Sequence, residues 1–586
     1  MIGDNKNLLL AIVISLAIIL GFQAASNYFF PKPQRPASAP AEQAQTPQPA
    51  PAVPGQTVVP PGGGVAGTPT PATPMPGVVP AAAQRGDLLG KSPRLRIDTP
   101  RVHGSIALKG GRLDDVTLPS YRETLDPNSP EIVLFSPPGA ADPYFVETGW
   151  VAVGTGVAVP GPETLWSADR DVLTPENPVT LSWDNGAGVV FTRKIAIDDH
   201  YMFTVTQGVE NRGDSGITLA PYSLVSRFGD PPTSGFFILF EGPLGVINGT
   251  LKEVSYKDLQ KEGLIQHTTT GGWIGITDKY WLSALIPLQD ERVDMRFIHQ
   301  RPQNINQYQV DFVGGQKVVA PGETAESISR VFAGAKVVTL IDKYAERYGI
   351  DRFDLAIDWG WFYFLTRPMF YALNFLYQHI GNFGLAILAV TVLIKLAFFP
   401  LANKSYKSMA QMRKLQPEVA QLRERFADDR TRMNQEMMAL YKRQKVNPAA
   451  GCLPIIIQIP VFFSLYKVLF VTIEMRHAPF FGWIRDLSAP DPTSVFNLFG
   501  LIPWTPPQFM MIGLWPLIMG VTMFLQQKLN PQPPDPVQAR IFMILPVVFT
   551  FMLAHFPAGL VIYWTWNNIL SIIQQWVIMR RQGVHI

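Results

Sequence analysis

Between residues 383 and 579 the chain holds five apolar runs, at 383–401, 452–473, 509–525, 541–556 and 560–579, and no Asp or Glu lies inside any of them. A bilayer crossing takes ~20 mostly apolar residues. This stretch is therefore read as four or five spanning helices. The last two runs are separated only by Pro557-Ala558-Gly559, so they must form a tight hairpin. Composition agrees: charged residues are 16% of the chain, against ~25% in ordinary soluble domains, and mean hydropathy is +0.11. The net charge of +3 argues against binding nucleic acid through bulk charge. A lone cysteine, Cys452, excludes intrachain disulfides and multi-cysteine metal sites.

Upstream the texture differs. An apolar run at 8–22 trails into Tyr28-Phe29-Phe30. It suits either a cleavable signal peptide, with Ala24-Ala25-Ser26 as the small-residue site, or a retained anchor over 1–30. Either way the chain beyond it is exported. Residues 31–85 form a nearly uncharged tether rich in Pro and Ala, with 15 of the 53 prolines between 31 and 84, a composition that cannot build a core. From 86 to 340 short alternating strands dominate, among them 189–197, 201–210, 273–276, 281–286, 308–312 and 327–332. About 250 residues of this kind predict one large β-sandwich, with 254–263 as a short helix. Asp198-Asp199-His200 invites a catalytic reading but falls where a turn is needed. Residues 341–381, crowded with Trp, Phe and Tyr and interrupted by Arg367-Pro368, are placed flat in the headgroup layer.

The loops set the orientation. Residues 401–450 carry eleven Lys and Arg against five Asp and Glu, whereas 474–508 has only Arg476 and Arg485 as basic residues. Basic loops stay in the cytoplasm, so the sandwich is outside. Within 402–450, apolar residues at Met409, Met412, Leu415, Val419, Leu422 and Phe426, and at Met433, Met437 and Leu440, step by three or four. They predict a helical hairpin whose stripe is its own seam, turning at Ala427-Asp428-Asp429, with Pro417 as a kink.

Lys395 is the sharpest single residue. An ionisable group inside a span is a functional candidate by default, and the five runs offer it no counter-ion. The alternative is snorkelling past Pro400, ~7.5 Å further along a helix; Lys467 is read as a snorkelling residue. Thr391 lies one turn from Lys395. On the last run Tyr563, Asn567, Ser571 and Gln574 share a face flanked by Asn568 and Gln575; Gln458, Thr522 and Gln526 add polar groups elsewhere. Each alone suits an interhelical hydrogen bond; together they favour a hydrated cavity. No phosphate-binding loop, metal-ligand spacing or nucleophile elbow stands in its required context, so no catalytic constellation, metal or cofactor is expected.

The order of parts resembles the YidC/Oxa/Alb family of membrane protein insertases, in its Gram-negative form. The stretches that carry the resemblance are Gln435-Glu436-Met437-Met438-Ala439-Leu440-Tyr441, Val446-Asn447-Pro448, Gly451-Cys452-Leu453-Pro454, Gln458-Ile459-Pro460-Val461-Phe462 and Phe556-Pro557-Ala558-Gly559-Leu560-Val561-Ile562-Tyr563-Trp564. The resemblance implies a polytopic α-helical membrane protein of six spans: a retained first span, the second at 382–401, and four more within 451–579. The last five form a core around a hydrophilic groove, with a short cytoplasmic tail at 580–586 and a β-supersandwich of the mutarotase type outside. Both termini are then cytoplasmic, in the cell inner membrane. The groove is expected to be lined by Lys395, Thr391, Gln458, Tyr563, Trp564, Asn567 and Ser571; Lys395 stands where the family usually has Arg. Expected partners are nascent membrane proteins, the lipid bilayer, the Sec translocon (SecYEG and SecDF) and, through so short a tail, the ribosome only weakly, with no nucleic-acid specificity. Two other classes fit parts of the chain: a secondary transporter, disfavoured by the missing intramembrane carboxylates, and a membrane-anchored sugar-active enzyme.

Overall fold

The computed structural model describes residues 84–583 apart from 155, 236–238, 427, 428, 445, 448–452, 505, 508, 509 and 531–535. The apolar run at 1–30, nearly all of the proline-rich tether and the Ala427-Asp428 part of the predicted turn lie outside the described residues.

Strands begin at Arg94 and continue to Ala335, in one sheet of eleven strands and one of nine. Nearly all neighbours are antiparallel; the short pairing of Arg94–Asp98 with Val172–Leu173 is parallel. In the nine-stranded sheet Met202–Asn211 lies between Val189–Ile197 and Thr324–Ala335, with Phe203 opposite Ile197 and Val331. Along Val189–Ile197 buried and partly exposed side chains alternate, the period-two signature of a strand with one face in a core. Inward residues of both sheets, such as Val116, Val146, Phe191, Phe203 and Phe332, join one apolar cluster. This is the large all-β unit the sequence predicts.

Asp198 closes a turn. Its Oδ1 accepts from the backbone N–H groups of His200 and Met202 at 2.9 and 3.0 Å, and its Oδ2 accepts from the Tyr344 hydroxyl at 2.5 Å. Both carboxylate oxygens are occupied structurally.

Helix α1 (Arg85–Leu89) precedes the first strand and α2 (Tyr256–Glu262) stands in the predicted short-helix position, its N-cap Ser255 accepting from the Asp258 N–H. Helix α3 (Val338–Tyr348) buries Leu340, Ile341 and Tyr344. Tyr344 meets Phe332 edge-on at 6.0 Å, Phe332 meets Phe353 at 5.7 Å, and Phe353 meets Trp273 at 5.5 Å. The sequence boundary at 341 therefore falls inside a helix packed into the sandwich. The aromatic face left open begins later, on α4 (Tyr363–Ile380), preceded by Trp361 and carrying exposed Phe364 and Phe375.

Gly381, in the left-handed region at φ +76°, ends α4, and Asn382 starts α5 (Phe383–Ala397) by accepting from the Leu385 N–H at 3.1 Å. Helix α6 (Phe399–Lys414) departs from α5 at 68°. Pro400 explains the elbow. Its ring would collide with the carbonyl one turn back and it has no N–H to donate, so it fits only in a first turn. A second break at Leu415 leads to α7 (Gln416–Arg425), with Pro417 again in the first turn, and α8 (Arg430–Arg443) comes next, capped by Asp429. The Met-bearing stripe divides. Met409, with Ala402 and Tyr406, packs on Ile578 near the end of the chain, while Leu415, Val419 and Leu440 are buried along α7 and α8. The predicted seam thus loses its first part to another helix, because the break at Leu415 turns α6 away from α7.

The remaining helices are α9 (Leu453–Val471), α10 (Leu514–Leu529), α11 (Pro536–Leu553) and α12 (Ala558–Arg581). Asp491 starts α10: its Oδ2 accepts from the Trp515 N–H at 3.0 Å, and Thr493 takes the Leu514 N–H. The loop at 487–489 accepts the first N–H groups of α12, from Ala558 to Ala489 O at 2.7 Å and from Gly559 to Leu487 O at 3.0 Å. Among the described residues no single helix is long and apolar enough to cross a membrane, whereas the bent pair α5–α6 qualifies together. Helix α12 has 24 residues, and its Asn and Gln side chains reduce its apolarity.

Candidate functional site

Lys395 projects from the last turn of α5 towards α12, and its Nζ donates to Ser571 Oγ at 2.7 Å. Ser571 Oγ donates in turn to Asn567 O at 2.8 Å, one turn back along α12. Asn567 Oδ1, on that same turn, is buried with no hydrogen-bond partner. Among the described residues no carboxylate pairs with Lys395, so a cation and an unused acceptor are held close together in a largely apolar bundle. Ordinarily such groups are paired.

The other predicted residues sort by helix face. Gln458 Nε2 donates to the Tyr563 hydroxyl, joining α9 to α12. Thr391 is buried and donates to Ile387 O at 2.7 Å within its own helix, so its hydroxyl is satisfied there. Trp564 packs edge-on to Phe462 at 4.7 Å and beside an apolar cluster of Met519, Leu553 and Val561. Flanking the Ser571 face of α12, Asn568 Nδ2 donates to Thr522 Oγ1 at 3.2 Å and Gln575 Nε2 to Leu529 O at 3.0 Å, both towards α10. For Asn568 interhelical hydrogen bonding is the explanation, while Gln575 keeps its Oε1 buried without a partner.

Beside Lys395 the α5–α6 elbow and the C-terminal half of α12 enclose a cleft of about 470 Å³, lined by Leu396, Phe399, Asn403 and Lys407 on one wall and by Ile573, Gln574, Val577 and Arg581 on the other. Sequence patterning does not single out Asn403, Lys407 or Arg581. The helix break that turns the first two towards α12 depends on Pro400, and Pro400 is the one local signal for it.

Lys467 corrects an expectation. It does not snorkel: its Nζ pairs with Asp358 Oδ2 at 2.7 Å, and that oxygen also accepts the Phe240 N–H at 3.0 Å. The carboxylate comes from just before α4, outside every apolar run, so a search within the runs misses it. Glu474, just beyond α9, accepts the Val338 N–H at 2.9 Å and so starts α3, while its Oε2 is shielded and unpartnered. Burial raises the Glu474 carboxyl to about 7. Arg476 donates to Arg122 O, and Lys279 lies 3.8 Å from the centre of the Phe470 ring. The β-unit and the helical part are thus joined by several independent polar contacts.

A β-sandwich joined to a bundle of helices with exposed apolar faces is the architecture of a membrane-associated protein with a large all-β domain. Comparison with known proteins gives the family. Residues 94–372 match the model of the YidC periplasmic domain, and residues 375–584 that of the 60Kd inner membrane protein. A membrane protein insertase YidC from Methylobacterium sp. (strain 4-46) is 52% identical over all of this chain and 96% of its own, and that of Methylobacterium radiotolerans is 54% identical over the same shares. A solved structure of an active YidC insertase with its first transmembrane domain resolved covers 82% of this chain and 92% of its own, at TM-score 0.34 and 18% identity. The chain belongs to the YidC family of membrane protein insertases, inner-membrane proteins with a periplasmic domain, and not to a family of enzymes.

Proposed function

We propose that this chain carries out the membrane protein insertion of its family through a hydrated groove centred on Lys395, which receives a polar segment of the client while the client's apolar helix enters lipid. The observation that carries this reading is the Lys395–Ser571 pair beside the unpartnered Asn567 Oδ1. A polar client segment entering bare hydrocarbon would lose several kcal/mol in unmade hydrogen bonds. Polar partners in the groove lower that cost. Release follows burial of the client helix in lipid, at ~25 cal/mol per Å² of apolar surface. Gln458 and Tyr563 continue the polar path away from Lys395, with Trp564 as an apolar wall, while Thr391, back-bonded to Ile387 O, contributes no free polar group to it.

The topology that goes with this groove has six spans, the first within 1–30, and exposed apolar side chains on α9 and α11 support the membrane-spanning part of that reading. Ile541, Ile544, Val547, Val548 and Phe551 of α11 are each at least half exposed, and Ile456, Ile459 and Phe463 are open on α9. A helix apolar on its outward faces belongs in lipid, and α9 and α11, the third and fifth spans, are the surfaces along which a client leaves. In this topology both termini and α6–α8 are cytoplasmic and the sandwich is periplasmic. The same reading gives nascent membrane proteins as clients, the Sec translocon (SecYEG and SecDF) as a partner for some of them, and weak ribosome contact.

The test uses one client in two forms, acidic and neutralised in its translocated segment, against Lys395→Arg, Lys395→Gln and Lys395→Glu. Arg should retain insertion, Gln should lose the acidic form, and Glu should be worst for it, with the neutral form less affected throughout. At an effective dielectric of ~20, a contact near 4 Å contributes about 4 kcal/mol before desolvation. Equal losses on both forms, or a fully active Lys395→Gln, would refute a charge mechanism.

A further inference from the structure

The cleft at the α5–α6 elbow has a chemistry that the client groove does not use. Its walls are mostly apolar, with Asn403 and Gln574 as polar members, and Leu396, Phe399 and Ile573 are 63%, 43% and 53% exposed, uncovered by any of the described residues. Its rim carries Lys407 and Arg581, both exposed and, among the described residues, in no ion pair; no Asp or Glu lines it. Lys395 contributes its stem, since its Nζ is turned to Ser571. Next to the rim's Arg581, the Arg580 guanidinium lies 5.3 Å from the centre of the exposed Trp576 ring, the amphipathic pairing found at headgroup depth. A volume of about 470 Å³ falls within the ~300–1,000 Å³ of small-molecule sites.

We propose that this cleft binds one anionic phospholipid of the cytoplasmic leaflet, its phosphate between Lys407 and Arg581 and its upper acyl chains against Leu396, Phe399 and Ile573. The assignment rests on the membrane-spanning reading above. Charge complementarity selects the occupant: a guanidinium takes phosphate oxygens in pairs and an ammonium adds a point charge, while the Leu396, Phe399 and Ile573 surface of the slot beneath suits hydrocarbon. Free phosphate matches the rim and leaves the slot empty. The lipid would tie α6 to α12 and so hold the elbow at its angle.

The experiment is native mass spectrometry of the full chain released from micelles holding equal amounts of phosphatidylglycerol and phosphatidylcholine. One phosphatidylglycerol should be retained in preference, and excess inorganic phosphate should not displace it. Lys407→Gln with Arg581→Gln should lower the bound fraction by about tenfold or more, from ~1 kcal/mol per basic residue. Ile573→Trp, which fills the slot and leaves the charge unchanged, should also lower it. Lys404→Gln with Arg443→Gln, an equal charge loss outside the cleft lining, should not. Equal retention of phosphatidylcholine, displacement by phosphate, or an equal loss in the two double variants would overturn the proposal. A stable elution profile confirms that each variant is folded. The membrane-spanning reading is judged separately, by whether the same preparations extract with the membrane fraction.

Discussion

Glu474 illustrates how one side chain can tie stability to pH. Its carboxyl is raised to about 7 because Oε2 is shielded without a partner. A raised carboxyl binds its proton more tightly in the folded state. The stability it lends is therefore full below the ordinary carboxylate range, near pH 4–4.5, and is lost as pH rises towards 7. Glu474→Gln keeps an acceptor for the Val338 N–H and removes the titration. Its melting temperature should exceed that of the parent at pH 8, approach it at pH 5, and vary less between them. A parent that gains stability from pH 5 to 8 at this site would contradict the assignment. The buried Arg296–Asp311 pair, at 2.7 Å with Asp311 fully enclosed, behaves differently. Arg296→Met leaves the Asp311 charge without its partner and should cost about 3–5 kcal/mol, read from denaturant unfolding of the β-unit. Asn568 is an interhelical link outside the proposed groove. Asn568→Leu should cost about 0.5–2 kcal/mol in thermal stability and leave insertion per folded molecule unchanged.

At the scale of elements, propensity and patterning account for most of what forms. The strand at 189–197 is found at its predicted bounds, since period-two alternation between turn residues is a local signal. The helix breaks follow from Pro400 and Pro417 for equally local reasons. What each element packs against is another matter. Met409 has the spacing of a hairpin seam and instead meets Ile578, since the turn at Leu415 redirects the stripe. Helices α6–α8 nonetheless reach the C-terminal end of α12, where Lys414 Nζ donates to Gln582 O at 2.7 Å, and in the proposed topology this is the cytoplasmic mouth of the groove. Replacing 404–445 with a Gly/Ser linker should abolish insertion while the remaining helices keep their far-ultraviolet circular dichroism. A stably expressed, fully active replacement would remove α6–α8 from the mechanism.

At the scale of the molecule, the β-unit rests on the segment that also starts α12. Glu474, Arg476 and Ser488 face the sandwich, and Leu487 and Ala489 accept the first N–H groups of α12. Deleting most of 90–330 removes the partners of one side and leaves those of the other. Insertion should therefore survive the deletion at reduced thermal stability. Loss of insertion at wild-type membrane levels of the truncated chain would move the sandwich into the mechanism.

The two-part architecture and the prominence of Lys395 are legible in the linear order of residues. Clustered apolar runs, alternating strands and a cation without a neighbour in its own segment are all read one residue at a time. The partners, in contrast, emerge only in the folded chain. Lys467 meets Asp358 across about a hundred residues, Thr391 turns inward to its own helix, and α12 divides its polar side chains between α5 and α10. The physical reason is that a hydrogen bond or ion pair depends on distance in space, and once the elbow at Pro400 and the loop at 487–489 orient the helices, groups remote in sequence become neighbours.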